Sequence, residues 1–375
     1  MKLLLTVVLA LVFSINSVSQ SLTVSFTSAH QSNQSSEFPL KDGVLTATQS
    51  SYAFGEDGSR VDIQTPIAFS MSKERARIGV VHFTSSLTSS VYDYRGNLIA
   101  EAEPEFFDAT DETIGITVLD SGEFILRDNV ANFTFFDAAG NRGYSVSNAT
   151  QATGGERPSG VSYSSEGETV VFFNPVVRYS DTEEGSRVSV AAGEEDEEST
   201  SVYSSRTRTI DRLHVSSNGS FITFSTSAGD QNSRVLIFDR FGNQLQEIDF
   251  EMTLSGFDLT ENGRYLTVYS DNRVQVYRTS DLERLGSSTS RSRIIHAAYQ
   301  PEMSTILTLE GQIRNGSVSD PQISAIDLER RDLNREQLSG SISFLDRKDI
   351  RISRTSEGAY QILGINRPIE VSISR

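Results

Sequence analysis

The sequence predicts an all-β fold assembled from repeated four-stranded units, and three observations predict it. The pattern φ-x-φ-[ST]-x-x-G-x-φ-x-φ, with φ apolar, recurs along the chain, as in "LHVSSNGSFITF" from Leu213 and "FDLTENGRYLTVY" from Phe257. Short apolar runs bounded by Ser, Asn and Gly recur every 8 to 12 residues, the spacing of strands and turns. Almost no window carries the 3.6-residue apolar stripe of an amphipathic helix.

Seven copies of the pattern can be aligned on their turns: "FSMSKERARIGVV", "ITVLDSGEFIL", "VSYSSEGETVVFF", the two quoted above, "AAYQPEMSTILTL" and "ISRTSEGAYQIL". The turn positions are Arg75, Gly122, Gly167, Gly219, Gly263, Met303 and Gly358, spaced 47, 45, 52, 44, 40 and 55 residues apart. That is the period of a four-stranded propeller blade. A second landmark follows about 20 residues later in several copies, in "VYDYRGN", "FFDAAGN" and "IFDRFGN". There Asp caps the turn with its side chain and Gly supplies a positive φ, so each copy reads as two hairpins. The chain stops at "IEVSISR", too soon after Gly358 for a fourth strand, while N-terminal pieces such as "DGVLTATQSSYAF" and "SRVDIQT" are left unpaired. Joining the two would close a ring and remove its open edges. Six or eight blades remain open alternatives to seven, as does the choice of closing strand.

These copies and turns resemble the seven-bladed β-propellers of the broad WD40-like and YVTN-like repeat superfamily, over residues 40–375. The resemblance implies seven four-stranded blades, an N-terminal strand completing the last blade, and binding on a loop-rich face. The chain has no Trp. It therefore lacks the WD dipeptide and the tryptophan of quinoprotein-type repeats, it shows no Asp-box of the sialidase type, and its subfamily is unassigned.

Residues 1–19 have the anatomy of a secretory signal peptide: Lys2, an apolar run from Leu3 to Phe13, and "SVS" before Gln20. The run is too short to span a bilayer, and no later stretch is long enough. The expected organisation is therefore a signal peptide at 1–19, a polar lead at 20–36 and a propeller domain at 37–375, secreted or periplasmic. There is no cysteine, and a chain of this length can bury enough core to manage without disulfides. Fifty acidic residues against 33 basic ones give a net charge of −17, which argues against broad nucleic-acid or anionic-membrane binding. Only Lys2, Lys41, Lys73 and Lys348 are lysine.

The motifs of catalysis are sparse. There is no G-x-S-x-G elbow, no H-E-x-x-H, and His30, His82, His214 and His296 stand singly. No cofactor and no metal are expected, although calcium at "DATDET" (Asp108–Thr113, with Asp108–Glu112 as its acids) stays open. The acidic run Glu194–Glu198 reads as a solvated turn.

A sharper signal comes from the innermost strand of each copy. Four and six residues before the turn position the residues are mostly apolar, as at Val118, Val215, Leu259, Ile116, Leu213 and Phe257. Because side chains alternate along a strand, the residues five and seven before it share the other face, toward the axis. They are Ser70, Thr117, Ser162, His214, Asp258, Ala298 and Ser353, and Ala68, Gly115, Gly160, Arg212, Gly256, His296 and Arg351. Most are small, but Arg212, His214, Asp258, His296 and Arg351 fall in consecutive copies. The connections "SRTRTIDR", "STSRSRII" and "FLDRKD" add Arg208, Arg293 and Arg347 on one face, basic islands in an acidic chain. Arginine forks suit carboxylate, sulfate and phosphate groups.

These eight residues define the expected binding site. The expected function is an exported binding or scaffolding propeller, more binder than enzyme, presenting a loop-rich face with a partly basic axial site to a protein or anionic, glycan-like partner, and working as a monomer. The alternative is a carbohydrate-active hydrolase or lyase using Asp258, His214 or His296 as acid or base. Ligand binding is expected to strengthen below about pH 6.5 if either histidine charges.

Overall fold

The computed structural model of the chain describes residues 21–26, 35–48, 50–56, 58–83, 86–103, 114–128, 132–147, 159–165, 169–180, 182–191, 199–229, 231–314, 316–355, 358–367 and 369–374. The signal-peptide reading, the calcium candidate at Asp108–Glu112 and the acidic run Glu194–Glu198 lie outside these residues.

The described strands form eight antiparallel sheets, each a four-stranded meander, in chain order: a β-propeller. We number the blades by sequence: 36–64, 68–102, 115–147, 160–205, 209–250, 256–289, 294–337, and 351–374 completed by Ser21–Phe26. Blade 7 carries one extra short strand, Ile342–Ser343, on Ser317–Asp327. Closure by the N-terminus is as expected, but the closing strand lies in the stretch read as a polar lead: Ser21 pairs with Ser374 and Phe26 with Ile369 in one continuous antiparallel ladder.

The count corrects the expected seven. The additional blade is the first, whose strands Ser36–Pro39, Val44–Ala47, Ser51–Phe54 and Val61–Gln64 include the N-terminal pieces left unpaired by the repeat. Its first turn, "LKDG", places Gly43 at φ 93° and closes with the Leu40 amide on the Gly43 carbonyl at 3.1 Å. The connection between the paired strands is four residues here, 40–43, against six in blade 2, 72–77, and it is differently bonded, so an alignment on S-x-x-G passes over it.

In blades 2, 3, 5, 6 and 8 the repeat is a turn chemistry, while the blade 4 turn position, Gly167, lies outside the described residues. The amide of the fourth residue donates to the carbonyl of the first: Arg75 to Ser72 at 2.9 Å, Gly219 to Ser216 at 2.9 Å, Gly263 to Thr260 at 2.7 Å. The fourth residue is left-handed, with φ of 101° at Gly122 and 72° at Gly219, which is why glycine recurs there. In blade 7 the left-handed residue is Ser304, one past Met303. The D-x-x-G-N turns work through Asp: Asp239 accepts from the Phe241 and Asn243 amides, both at 2.9 Å, and Asn243 Nδ2 donates to its other oxygen at 2.8 Å.

The core lies between blades. Seven apolar clusters each join two neighbours, represented by Phe38 with Ile78, Val91 with Phe124, Phe133 with Phe172, Val188 with Phe224, Val235 with Leu266, Val276 with Ile306, and Leu309 with Tyr360. Each fully buried side chain of this kind contributes about 1.5–3 kcal/mol. Among the described residues no cluster joins blade 8 to blade 1. There the channel is lined by Phe38 and Tyr52 of blade 1 and by Leu345, Ile350 and Leu363 at blade 8. No helix among the described residues is long and apolar enough to cross a membrane.

Candidate functional site: the axial channel

The innermost strands surround a channel of about 670 Å³, to which all eight blades contribute. The strand alternation sets its lining. Ser70, Thr117, Ser162, His214 and Asp258, each five residues before its turn position, all line it. Where the position seven before the turn is glycine, the residue paired across the ladder fills the space: Gly160 lies opposite Phe173, and Gly256 opposite Tyr269. A Cβ on Gly256 would collide with the Tyr269 hydroxyl and the Arg212 guanidinium.

Of the eight expected site residues, the channel brings together five. Arg212, His214, Asp258, His296 and Arg351 line it. Arg212 and His296 sit on the two longest innermost strands, Thr209–Val215 and Ile294–Gln300, and each directly follows a register shift in its ladder, between Ile210 and Arg212 and between Ile294 and His296. Such bulges re-aim a side chain. Arg212 donates Nη1 to the Tyr269 hydroxyl at 2.9 Å, and that hydroxyl lies 3.3 Å from Nδ1 of His296. His296 is buried, and among the described residues its Nε2 has no partner.

Arg347 stands at the channel's loop-side mouth without lining it. It belongs to a 3₁₀ turn, Arg347–Asp349, which leads into blade 8. Its carbonyl accepts from Arg212 Nη2 at 3.1 Å, across the ring in blade 5, and its guanidinium donates to the Ile295 carbonyl of blade 7 at 3.2 Å. Two expected residues do not line the channel. Arg208 folds back on its own blade, donating to Thr226 Oγ1 at 2.9 Å and the Asn232 carbonyl at 2.6 Å. Arg293 pairs with Asp271 at 3.0 Å on the exposed surface. Both satisfy local acceptors rather than facing the axis.

Lys73 and Arg75, in the first repeat turn, line the channel although the sequence reading passed them over. Lys73 crosses the turn-side mouth: its Nζ donates to the Tyr163 carbonyl of blade 4 and, at 3.4 Å, to the Val215 carbonyl of blade 5. Its own carbonyl accepts from Arg351 Nη2 at 2.9 Å. Arg75 is left-handed, φ 58°, and donates to the Pro39 carbonyl at 2.8 Å. The signal available was a lysine, one of only four, in the one S-x-x-G turn whose last residue is arginine.

Burial and mutual repulsion set the charges. His214 is pushed down to about 3 by burial and then by Lys73, Arg212 and Arg351. His296 is pushed down to about 3 by burial and then by Arg212, His214 and Arg347. Both are neutral at pH 7, so the expected strengthening of binding near pH 6.5 does not follow for this channel. Burial lowers Lys73 to about 8, helped by Arg351 and opposed by Asp120 and Glu261. Burial raises Asp258 to about 7, helped by Glu261 and opposed by Arg212. Among the described residues, Lys73, Arg75, Arg212 and Arg351 form no ion pair; their hydrogen bonds go to carbonyls and a tyrosine hydroxyl. Each keeps donors to spare.

No family model matches the chain, and no curated protein matches it. Solved structures do. The chain is similar to BamB from Moraxella catarrhalis at 12% identity, over 93% of this chain and 99% of that one, with a TM-score of 0.53. It is also similar to Sqt1 of Saccharomyces cerevisiae at 10% identity over 79% of each chain, TM-score 0.48, and to a eukaryotic initiation factor at 8% identity over 83% of this chain and 90% of that one, TM-score 0.47. Only the first likeness is close enough to carry an argument, and at 12% identity it shows the fold alone. With 1256 solved chains similar in structure, the fold is too widely shared to bring a function with it. The comparisons thus establish the chain as an all-β propeller, and its function has to be read from its channel.

Proposed function

We propose that the protein is an exported binding propeller whose axial channel holds an anionic ligand, and whose loop-rich face presents that site to a protein or glycan partner. One observation carries the reading. In a chain of net charge −17, Lys73, Arg75, Arg212 and Arg351 converge on one channel and, among the described residues, none of them makes an ion pair, although Asp258, Asp346 and Asp349 line the same channel. Their hydrogen bonds go to backbone carbonyls and the Tyr269 hydroxyl, so the charges are pre-organised, Asp258 and Asp349 offset them without pairing, and an incoming anion adds direct counter-charge. A rigid scaffold with its site at the mouths of a channel is where binding sits in folds of this kind.

The test is titration calorimetry with uronic-acid oligosaccharides, citrate and sulfate, comparing the wild type with an Arg212→Ala, Arg351→Ala double variant. Binding that weakens at least tenfold in the variant and falls with rising salt supports the reading. It should also weaken from about pH 7 upward, as Asp258 becomes a carboxylate and Lys73 then loses its charge. Equal affinity in both proteins, or none in either, would make these residues channel filler.

A further inference from the structure

The connection into blade 8 lines the channel as no other fully described connection does. Leu345, Asp346, Lys348, Asp349 and Ile350 all take part, whereas the connection into blade 2 adds only Pro66 and Ile67, and those into blades 5, 6 and 7 add none. Both of its ends are anchored. The Phe344 amide donates to the Gly316 carbonyl at 3.1 Å, and the Asp349 carbonyl lies so close to Gly364, φ 82°, that a Cβ there would collide with it. Between the anchors, Asp346 caps the 3₁₀ turn by accepting from the Lys348 amide at 2.9 Å. The span is also held from other blades. Arg212 of blade 5 donates to the Arg347 carbonyl at 3.1 Å, and the Arg347 guanidinium donates to the Ile295 carbonyl of blade 7 at 3.2 Å. A bond between blades three apart in an eight-bladed ring crosses the channel rather than following its wall.

The opposite mouth is tied more widely. The turn at 73–75 bonds to blades 1, 4, 5 and 8, and the Glu74 amide adds Asp120 of blade 3 at 2.8 Å. Exchange with solvent therefore falls to the loop side. There the connection brings a carboxylate of its own. Burial raises Asp349, helped by Asp346 and opposed by Lys348, Arg351 and Arg75. Asp349 in turn opposes the burial that lowers Lys73 and Arg75. Among the described residues it makes no ion pair with any of them. It offsets the channel's cations without meeting their donors, so an anion that takes direct, charge-assisted hydrogen bonds from those donors can outcompete it.

On the anion-binding reading, we propose that residues 345–350 form an autoinhibitory lid: closed, it covers the loop-side mouth with Asp349 as the resident counter-charge, and an anion enters by displacing it. The anion's bonds to Arg212 or Arg351 replace the Arg347 carbonyl and the Asp349 carboxylate, so ligand binding and lid release are one coupled equilibrium.

The experiment combines hydrogen exchange by mass spectrometry with calorimetry, on the full mature chain at pH 7, with sulfate as the probe and Asp349→Asn as the variant. Saturating sulfate should speed exchange in residues 345–350 at least threefold, the reverse of the protection a ligand usually gives, while the turn at 72–77 does not speed up. Asp349→Asn should bind sulfate at least threefold tighter than the wild type. If that variant does not fold, Arg347→Ala, which frees the lid from the Ile295 carbonyl, should bind at least threefold tighter although it removes a cation from the mouth. A lid left unchanged or better protected by sulfate, or variant binding no tighter than that of the wild type, would overturn the lid while leaving the anion site in place. Absence of sulfate binding by the wild type and both variants would overturn the anion site as well.

Discussion

His214 and His296 carry the clearest pH signature at the scale of single residues. Their folded values of about 3 lie below the ordinary 6.5, so the fold favours the neutral imidazole. The stability they contribute is fully present above pH 6.5 and is lost as pH falls toward 3; the upper bound is about 5 kcal/mol for each and the coupled pair should give less. Asp258 opposes this, because its raised value favours the folded state more as pH falls from 7 toward 4. A His214→Gln, His296→Gln variant should therefore lose less stability than the wild type between pH 6.5 and 4, measured by urea midpoints. Parallel profiles would mean that the histidines titrate normally. Gly256 gives a second test, since a methyl there meets both Tyr269 and Arg212. Gly256→Ala should cost about 1–3 kcal/mol, as overpacking does, and weaken anion binding together with stability. Unchanged affinity would show that Arg212 is not held by that contact.

The repeat was legible at the scale of elements because its turns are chemical. The S-x-x-G bond and the Asp-capped D-x-x-G-N turn each require particular residues, and alternation along the innermost strand then assigns Ser70, Thr117, His214 and Asp258 to the axis without a structure. Three things were not legible. Blade 1 was missed because its "LKDG" turn satisfies its backbone differently. Lys73 was missed because it lies in the turn rather than on the strand, and only the ring brings blades 4 and 5 within its reach. Arg208 and Arg293 were placed on one face by the topology of their connections, which says nothing of their partners: Thr226 of its own blade holds Arg208, and Asp271 in a blade 6 turn holds Arg293. Gly219 has a φ of 72°, and a Cβ there would crowd Thr169 Oγ1 and Ser164 Oγ. Gly219→Ala should destabilise by about 1–2 kcal/mol, by thermal melting, with anion affinity unaffected. A neutral result would mean that the turn relaxes.

Closure is the weak point at the scale of the whole molecule. Seven blade interfaces have apolar clusters among the described residues, whereas none joins blades 8 and 1, both of which line the channel. Ring integrity therefore leans on Ser21–Phe26, whose ladder completes blade 8 and whose Leu22 and Val24 pack against the cluster of blades 7 and 8. Deleting residues 20–26 should leave the Ile369–Ser374 strand as an open edge and give aggregated or molten protein, by near-UV circular dichroism and gel filtration. A soluble truncation with an unchanged melting temperature would contradict closure by this strand. The same ring places cations from blades 2, 5 and 8 around one axis, and anion binding at that axis is the central claim. The most direct measurement is a crystal of the mature protein soaked in selenate, with the anion located by anomalous scattering at the selenium edge. A peak is expected inside the channel, within hydrogen-bonding distance of Arg212, Arg351 or Lys73, and it should be lost in the Arg212→Ala, Arg351→Ala variant. A channel holding only water, with selenate confined to surface arginines such as Arg293, would contradict it.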